Sequence, residues 1–347
     1  MADVPLDSVM PLQPATPETL SLHPSGDGED NAAVDVDGVL MLVQVTRFTC
    51  GSFVVGWALP RSILRISCPT ASPSATRGAA VDPMPVHDCV SLFVPRDPPC
   101  VEFENRGAEY KESRSNVDDN KVVMHRVNFS REFVAELKKR ASAGTPRQWR
   151  PYSALQCVAA HLWRCVIKVD GCTGTELHIS VNGSARMHHP RVPEGYTGNV
   201  VLWARPTTTV GDMETPPGLR GVVEVVSKAV PTMDDAYFRS FIDFASSRVV
   251  EEEGLMPTLE VDPLETMLSP NASRWKPCWG SRSRTSTLFC GPPFFFMPNY
   301  PPVEDGIFIV SSFSGDGNID AYVPLFNQAM DIFKNCCHSL SAADTRL

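Results

Sequence analysis

The sequence predicts an α/β fold. Short apolar strands alternate with amphipathic helices through its second half, and the stretches 38–49 and 306–311 are apolar and rich in β-branched residues, as buried strands are. At 347 residues the chain is long enough for one large domain or two medium ones, each with its own core.

Taken in order, residues 1–38 are rich in Pro, Asp and Gly and read as loop, and the run from Gly38 to Thr49 (GVLMLVQVTRFT) reads as a largely buried strand. Residues 57–80 show no clear period. Residues 82–120 are Pro-rich and then charged, ending in SRSNVDDN, and read as an exposed linker between two halves. The text from Lys121 to Phe129 alternates as a strand does. Ser130 is placed to cap a following helix whose apolar face is Phe133, Val134 and Leu137. Ser153 opens another helix, with Gln156 three residues on as a capping box requires and Leu155, Val158, Ala159, Leu162 and Val166 on one face. Short strands are expected from Glu176 to Val181 and from Asn199 to Trp203. Helices are expected from Leu219 to Val230 and from Asp234 to Ser247, then a buried strand from Gly306 to Ser311. A final amphipathic helix is expected from Ala321 to Asn335, using Val323, Phe326, Met330 and Phe333.

Composition excludes several function classes. A net charge of −9 argues against nucleic acid as a partner, which would need a basic surface. No run of 18 apolar residues exists, so no membrane span is expected. The opening Met1-Ala2-Asp3-Val4-Pro5 has neither the basic stretch nor the apolar run of a signal peptide. The eleven cysteines are odd in number and irregular in spacing, so they are read as reduced thiols of a cytoplasmic protein.

Several segments together resemble one family. They are LDSVMPLQP, LMLVQVTRFTCGSFVVGW, PVHD and FVPRDPPCVEFENRGAEYK in the first half. In the second half they are SALQCVAAHLWR, GYTGNVVLWARPTTTVGDM, SFIDFA, PFFFMP and AYVPLFNQAMDIFKNCCHSL. As a set they are similar to the BAHD acyltransferases, in particular to grass enzymes that join hydroxycinnamoyl groups to agmatine, tryptamine or similar amines. The resemblance covers most of the chain. It implies a chloramphenicol-acetyltransferase-like two-domain fold with a channel between the domains. It also implies an incomplete N-terminal domain over residues 1–100, a crossover linker over 101–120 and a C-terminal domain over 121–347.

The family's chemistry needs a base of near-neutral pKa, because the attacking amine or alcohol must lose a proton. The resemblance implies that a His in H-x-x-x-D-G supplies it, directly after the strand text VTRFTCGSFVVGW. That place here reads Trp57-Ala58-Leu59-Pro60-Arg61-Ser62-Ile63-Leu64-Arg65, and no His, Asp or Glu stands between Val54 and Val81. The family's D-F-G-W-G is likewise absent between Asn271 and Pro293. Both stretches are rich in Ser, Arg, Pro and Cys and lack acids, as text outside the family's reading frame would be. No catalytic residue is therefore assigned.

His23-Pro24-Ser25-Gly26-Asp27-Gly28 fits the H-x-x-x-D-G string but precedes the strand, in a Pro/Gly loop, and is read as a decoy. His188-His189 reads as a surface turn, since adjacent side chains diverge and no ligand partner stands at metal spacing; no metal is expected. His161 reads as a core or partly buried residue, and Cys336-Cys337 as part of a packed helix. The cluster Lys138-Lys139-Arg140 reads as a solvated helix end more readily than as a phosphate contact. The resemblance places Tyr196, Gly198 and Asn199, the family's Y-x-G-N, near the channel; the alternative is a turn. It also offers Ser153, beside its capping role, and Arg186 as substrate contacts. No cofactor is implied beyond acyl-CoA as co-substrate. The expected partners are a hydroxycinnamoyl-CoA and an amine acceptor, and the expected state is a monomer. Three readings follow: an amide-forming acyltransferase impaired by the missing base, a non-catalytic relative that binds CoA or a phenolic, or a product that folds poorly.

Overall fold

The computed structural model describes residues 3–10, 12, 16–24, 42–58, 83–106, 109–112, 122–143, 151–170, 174–196, 198, 200–214, 218–257, 295, 297, 307–312 and 315–340. Its elements, in chain order, begin with α1 (Pro17–Leu20), β1 (Leu42–Arg47), β2 (Phe53–Ala58), α2 (Cys89–Leu92) and β3 (Tyr110–Glu112). Then come β4 (Val122–Phe129), α3 (Arg131–Ala141), α4 (Ala154–Asp170), β5 (Gly174–Glu176), β6 (Ile179–Asn182), β7 (Val201–Ala204) and β8 (Thr207–Thr209). The rest are α5 (Val210–Glu214), α6 (Leu219–Ala229), α7 (Asp235–Ala245), α8 (Arg248–Glu252), β9 (Leu255–Pro257), β10 (Phe308–Ser311), β11 (Ile319–Phe326) and α9 (Asn327–Cys336).

The centre is the antiparallel sheet β10-β11-β4. Phe129, Val127, His125 and Val123 stand opposite Ile319, Ala321, Val323 and Leu325. Most of these join the apolar cluster that α3, α4, α6 and α9 complete. Phe129 is fully buried and stacks on Phe133 with ring centres 5.3 Å apart. The alternate positions form the other face, where Asp320 takes hydrogen bonds from Arg126 Nη2 (3.1 Å) and Asn128 Nδ2 (2.8 Å). The ladder β1–β2 is separate from this sheet.

The expected helices form, and their caps explain where they start. Ser130 accepts from the Phe133 N–H at 3.2 Å, and Asp234 accepts from the Tyr237 N–H at 3.1 Å. Before α4, Ser153 Oγ accepts from the Gln156 N–H while Gln156 Oε1 accepts from the Ser153 N–H, a reciprocal capping box.

Three expectations are corrected. Residues 321–326 are not helical: they complete β11, a central strand buried along nearly its whole length, and the last helix starts only at Asn327. The single strand expected from Glu176 to Val181 is two, β5 and β6, which pair with different partners, β8 and β7. The strand β1, expected to be largely buried, alternates between half-buried and exposed residues, with Val43 and Val45 51% and 55% exposed. Residues 97–104 are exposed, as expected of a linker, yet the segment is anchored. Its backbone is tied to α7, where buried Asp243 accepts from Arg96 N (2.7 Å), Arg96 Nε (2.6 Å) and Cys100 N (2.9 Å). Ser240 Oγ accepts from the N–H groups of Glu102 and Phe103 at 2.8 and 3.0 Å.

Candidate functional site

The loop before β7 carries the Tyr196 motif. It turns at Pro193, whose carbonyl accepts from the Tyr196 N–H at 3.0 Å. The segment leading into α2 docks against it: the Val86 N–H donates to the Gly195 carbonyl at 2.8 Å, and Val86 bridges Tyr196 in parallel. The Tyr196 ring meets Phe93 edge-on, with centres 5.6 Å apart and planes at 74°. Burial first, then the charges at Cys89 and Asp88, push the phenol's pKa up. Tyr196 therefore lies where the segment 83–93 packs against the turn before β7, with Gly198 against its ring. Asn199, and residues 59–82 where the family's base belongs, fall outside the described residues.

The other two expected contacts are held by the fold. Ser153 is occupied in its capping box. Arg186 Nη1 donates to the carbonyls of Val230 (2.9 Å) and Met233 (2.8 Å), closing the C-terminal end of α6 and the turn after it. Arg140 and Lys139 pair with Glu136 at 3.0 and 3.4 Å, as a solvated helix end does.

All eight histidines lie among the described residues, and none stands on the strand-following segment that carries the family's base. His161 is buried, with Nε2 2.7 Å from the Cys337 carbonyl. His125 sits edge-on to Phe333, and His338 lies against Phe129 and Phe133. His188 and His189 are exposed in a turn held by Asp235, whose Oδ1 accepts from the His188 N–H at 2.6 Å. His23 closes the turn after α1, its N–H donating to the Leu20 carbonyl at 3.0 Å. His87 is exposed beside Asp88, the cap of α2.

A polar cluster went unread in the sequence. His178 Nε2 lies 2.5 Å from Glu176 Oε1, to which Arg205 Nε also donates at 2.8 Å. Burial pushes the Glu176 carboxyl up, but His178 and Arg205 outweigh it and hold the pKa below the usual carboxylate range. Beside this group Glu109, 6% exposed, accepts from the Trp203 N–H at 2.7 Å. Burial pushes its pKa up to about 7, against the pull of that N–H and of Arg205 and His178. The i, i+2 spacing of Glu176 and His178 was the available signal. Among the described residues no group of three or more His, Cys, Asp or Glu is placed to hold a metal ion, and no helix is long and apolar enough to cross a membrane.

The sequence pattern of the transferase family matches residues 29–340. The chain is 50% identical to agmatine coumaroyltransferase-1 of Hordeum vulgare, over 98% of this chain and 77% of that protein. It is 47% identical to agmatine hydroxycinnamoyltransferase 1 of Oryza sativa subsp. japonica, with the same coverage of each. In three dimensions it resembles vinorine synthase, with a TM-score of 0.60 and 18% identity, over 95% of this chain and 73% of that one. It also resembles F. sporotrichioides TRI101 complexed with coenzyme A and T-2, with a TM-score of 0.66 and 16% identity, over 85% and 67%. The α/β architecture is thus that of these acyltransferases, and the chain belongs to the transferase family known as BAHD.

Proposed function

We propose that this chain is built to transfer a hydroxycinnamoyl group from its CoA thioester to an amine, agmatine foremost, and that it does so slowly. The observation that carries the reaction is the half identity, over nearly the whole chain, to a barley agmatine coumaroyltransferase. In the reaction the amine nitrogen attacks the thioester carbonyl. A C–N bond forms, the C–S bond breaks, and the CoA sulfur ends with the proton that the amine gives up. Acyl-CoA is a co-substrate; no cofactor takes part.

The proposed impairment rests on the absence of His, Asp and Glu between Val54 and Val81, the stretch that follows β2. Losing a general base typically lowers the rate about 10²–10⁴-fold, because positioning of the reactants survives it. Tyr196 and Gly198 border the proposed channel, with Asn199 beside them in sequence. Ser153 and Arg186 act through the helix ends they hold. The chain works as a monomer in the cytoplasm. The same missing base supports a second reading, a non-catalytic relative that keeps CoA binding.

Product analysis separates the two. The purified chain is incubated with coumaroyl-CoA and agmatine, tryptamine or putrescine in turn, and amides are detected by mass spectrometry. Slow formation of the agmatine amide, unchanged by His23→Ala, is expected. CoA binding with no amide from any amine would establish the second reading instead.

A further inference from the structure

Four contacts meet at Gly195, Tyr196 and Gly198. The Val86 N–H donates to the Gly195 carbonyl at 2.8 Å. The Met84 carbonyl lies so close over Gly195 that a Cβ there would overlap it. The Tyr196 ring packs edge-on against Phe93. The Tyr196 hydroxyl lies over Gly198, where a Cβ would overlap the phenol at its oxygen and ring carbons. Neither glycine is among those with positive φ, so the backbone turn does not require them; the close approach of other atoms does.

We propose that Gly195, Tyr196 and Gly198 form a clasp that fastens the segment 83–93 onto the turn before β7 and the core behind it. Gly195 admits the incoming Met84 carbonyl. Gly198 gives the phenol a bed, and the ring seated there faces Phe93, so that the ring pair extends the apolar core outward to α2. The glycine of Y-x-G-N is on this account a packing requirement set by Tyr196, rather than a turn residue or a ligand contact. This goes beyond the proposed acyl transfer and does not depend on it.

The Val86 amide reports the clasp directly, because its partner is the Gly195 carbonyl. Hydrogen exchange of the full chain is followed at Val86, with the β4–β11 ladder amides as internal control. Gly198→Ala is expected to speed exchange at Val86 by about tenfold or more while leaving the ladder unchanged, and Tyr196→Phe, which keeps the ring, is expected to leave both unchanged. Phe93→Ala removes the facing ring without touching either glycine, and is expected to speed Val86 as well; it serves if Gly198→Ala does not fold. Unchanged protection at Val86 in a folded Gly198→Ala or Phe93→Ala chain would overturn the proposal. So would loss of protection at Val86 and the ladder together in Phe93→Ala, since the segment would then open only with the whole fold.

Discussion

The β1–β2 ladder and the β10-β11-β4 sheet are both antiparallel, yet their apolar residues are buried to different degrees. On the sheet, Val127, Phe129 and Val323 are 1%, 0% and 0% exposed under four helices. On the ladder, Val43 and Val45 are 51% and 55% exposed. Burial of apolar area is the chief driving force of folding, so the stability of the described fold resides in the sheet and its helices. The stretch without His, Asp or Glu, on which the proposed impairment rests, follows β2 in the sequence, whereas most of the buried core comes from the second half. The proposed loss of the base and the integrity of the core are therefore separable. A chain can keep the second half's architecture while lacking the group that drives the chemistry.

The sharpest contrast comes from truncation. Phe333→Ala, in the buried face of α9, should cost about 3–5 kcal/mol in denaturant unfolding. Val45→Thr on the ladder should change stability by less than about 0.5 kcal/mol. Equal effects would erase the distinction between the two regions.

Next in size is Asp243→Ala. The carboxylate accepts three hydrogen bonds from the segment that crosses to α7. Burial pushes its pKa up, but the N–H groups of Cys100 and Arg96 and the Arg96 guanidinium outweigh it and hold the carboxyl below its ordinary range. Removal should cost about 2–4 kcal/mol, allowing for the partial exposure of Arg96. Faster exchange at the amides of Arg96 and Cys100 should accompany it. A loss below 1 kcal/mol, or no change at those amides, would show the segment to be held elsewhere.

Glu109 gives a pH-dependent test. Its folded-state pKa, about 7, lies above the ordinary carboxylate value of about 4.3. Between those values the folded chain keeps the proton that the unfolded chain releases, so its contribution to stability is present at low pH and lost as pH rises toward 7. Glu109→Gln stays neutral and retains an oxygen for the Trp203 N–H. Wild-type stability measured against this variant should fall by roughly 3 kcal/mol from pH 4 to pH 8 and then level off. A difference that does not vary with pH would mean that Glu109 titrates in the folded chain as it does in the unfolded one.

The sequence revealed the helices best, because caps and periodicity agreed: Ser130, Ser153 and Asp234 stand where the structure uses them. It misled at β11. A central strand buried on both faces carries no alternation, and Val323 and Phe326 happen to continue the helical spacing of Met330 and Phe333. The charged text around Glu109 reads as surface, and only the fold shows that Trp203 and Arg205 cover it. The Tyr196 motif was found by resemblance alone. Nothing local in the sequence announces that Gly195 must admit a carbonyl from Met84, far away along the chain.

The proposed molecule is an acyltransferase architecture that keeps CoA binding but has lost its general base. The most direct measurement is the rate of CoA release from coumaroyl-CoA with agmatine, taken side by side with the barley relative at saturating substrate, together with CoA affinity on the same preparations. The account predicts turnover about 10²–10⁴-fold below the relative, with CoA affinity within about tenfold of it. Turnover equal to the relative's would contradict the claim, since some other group would then be doing the work of the missing histidine.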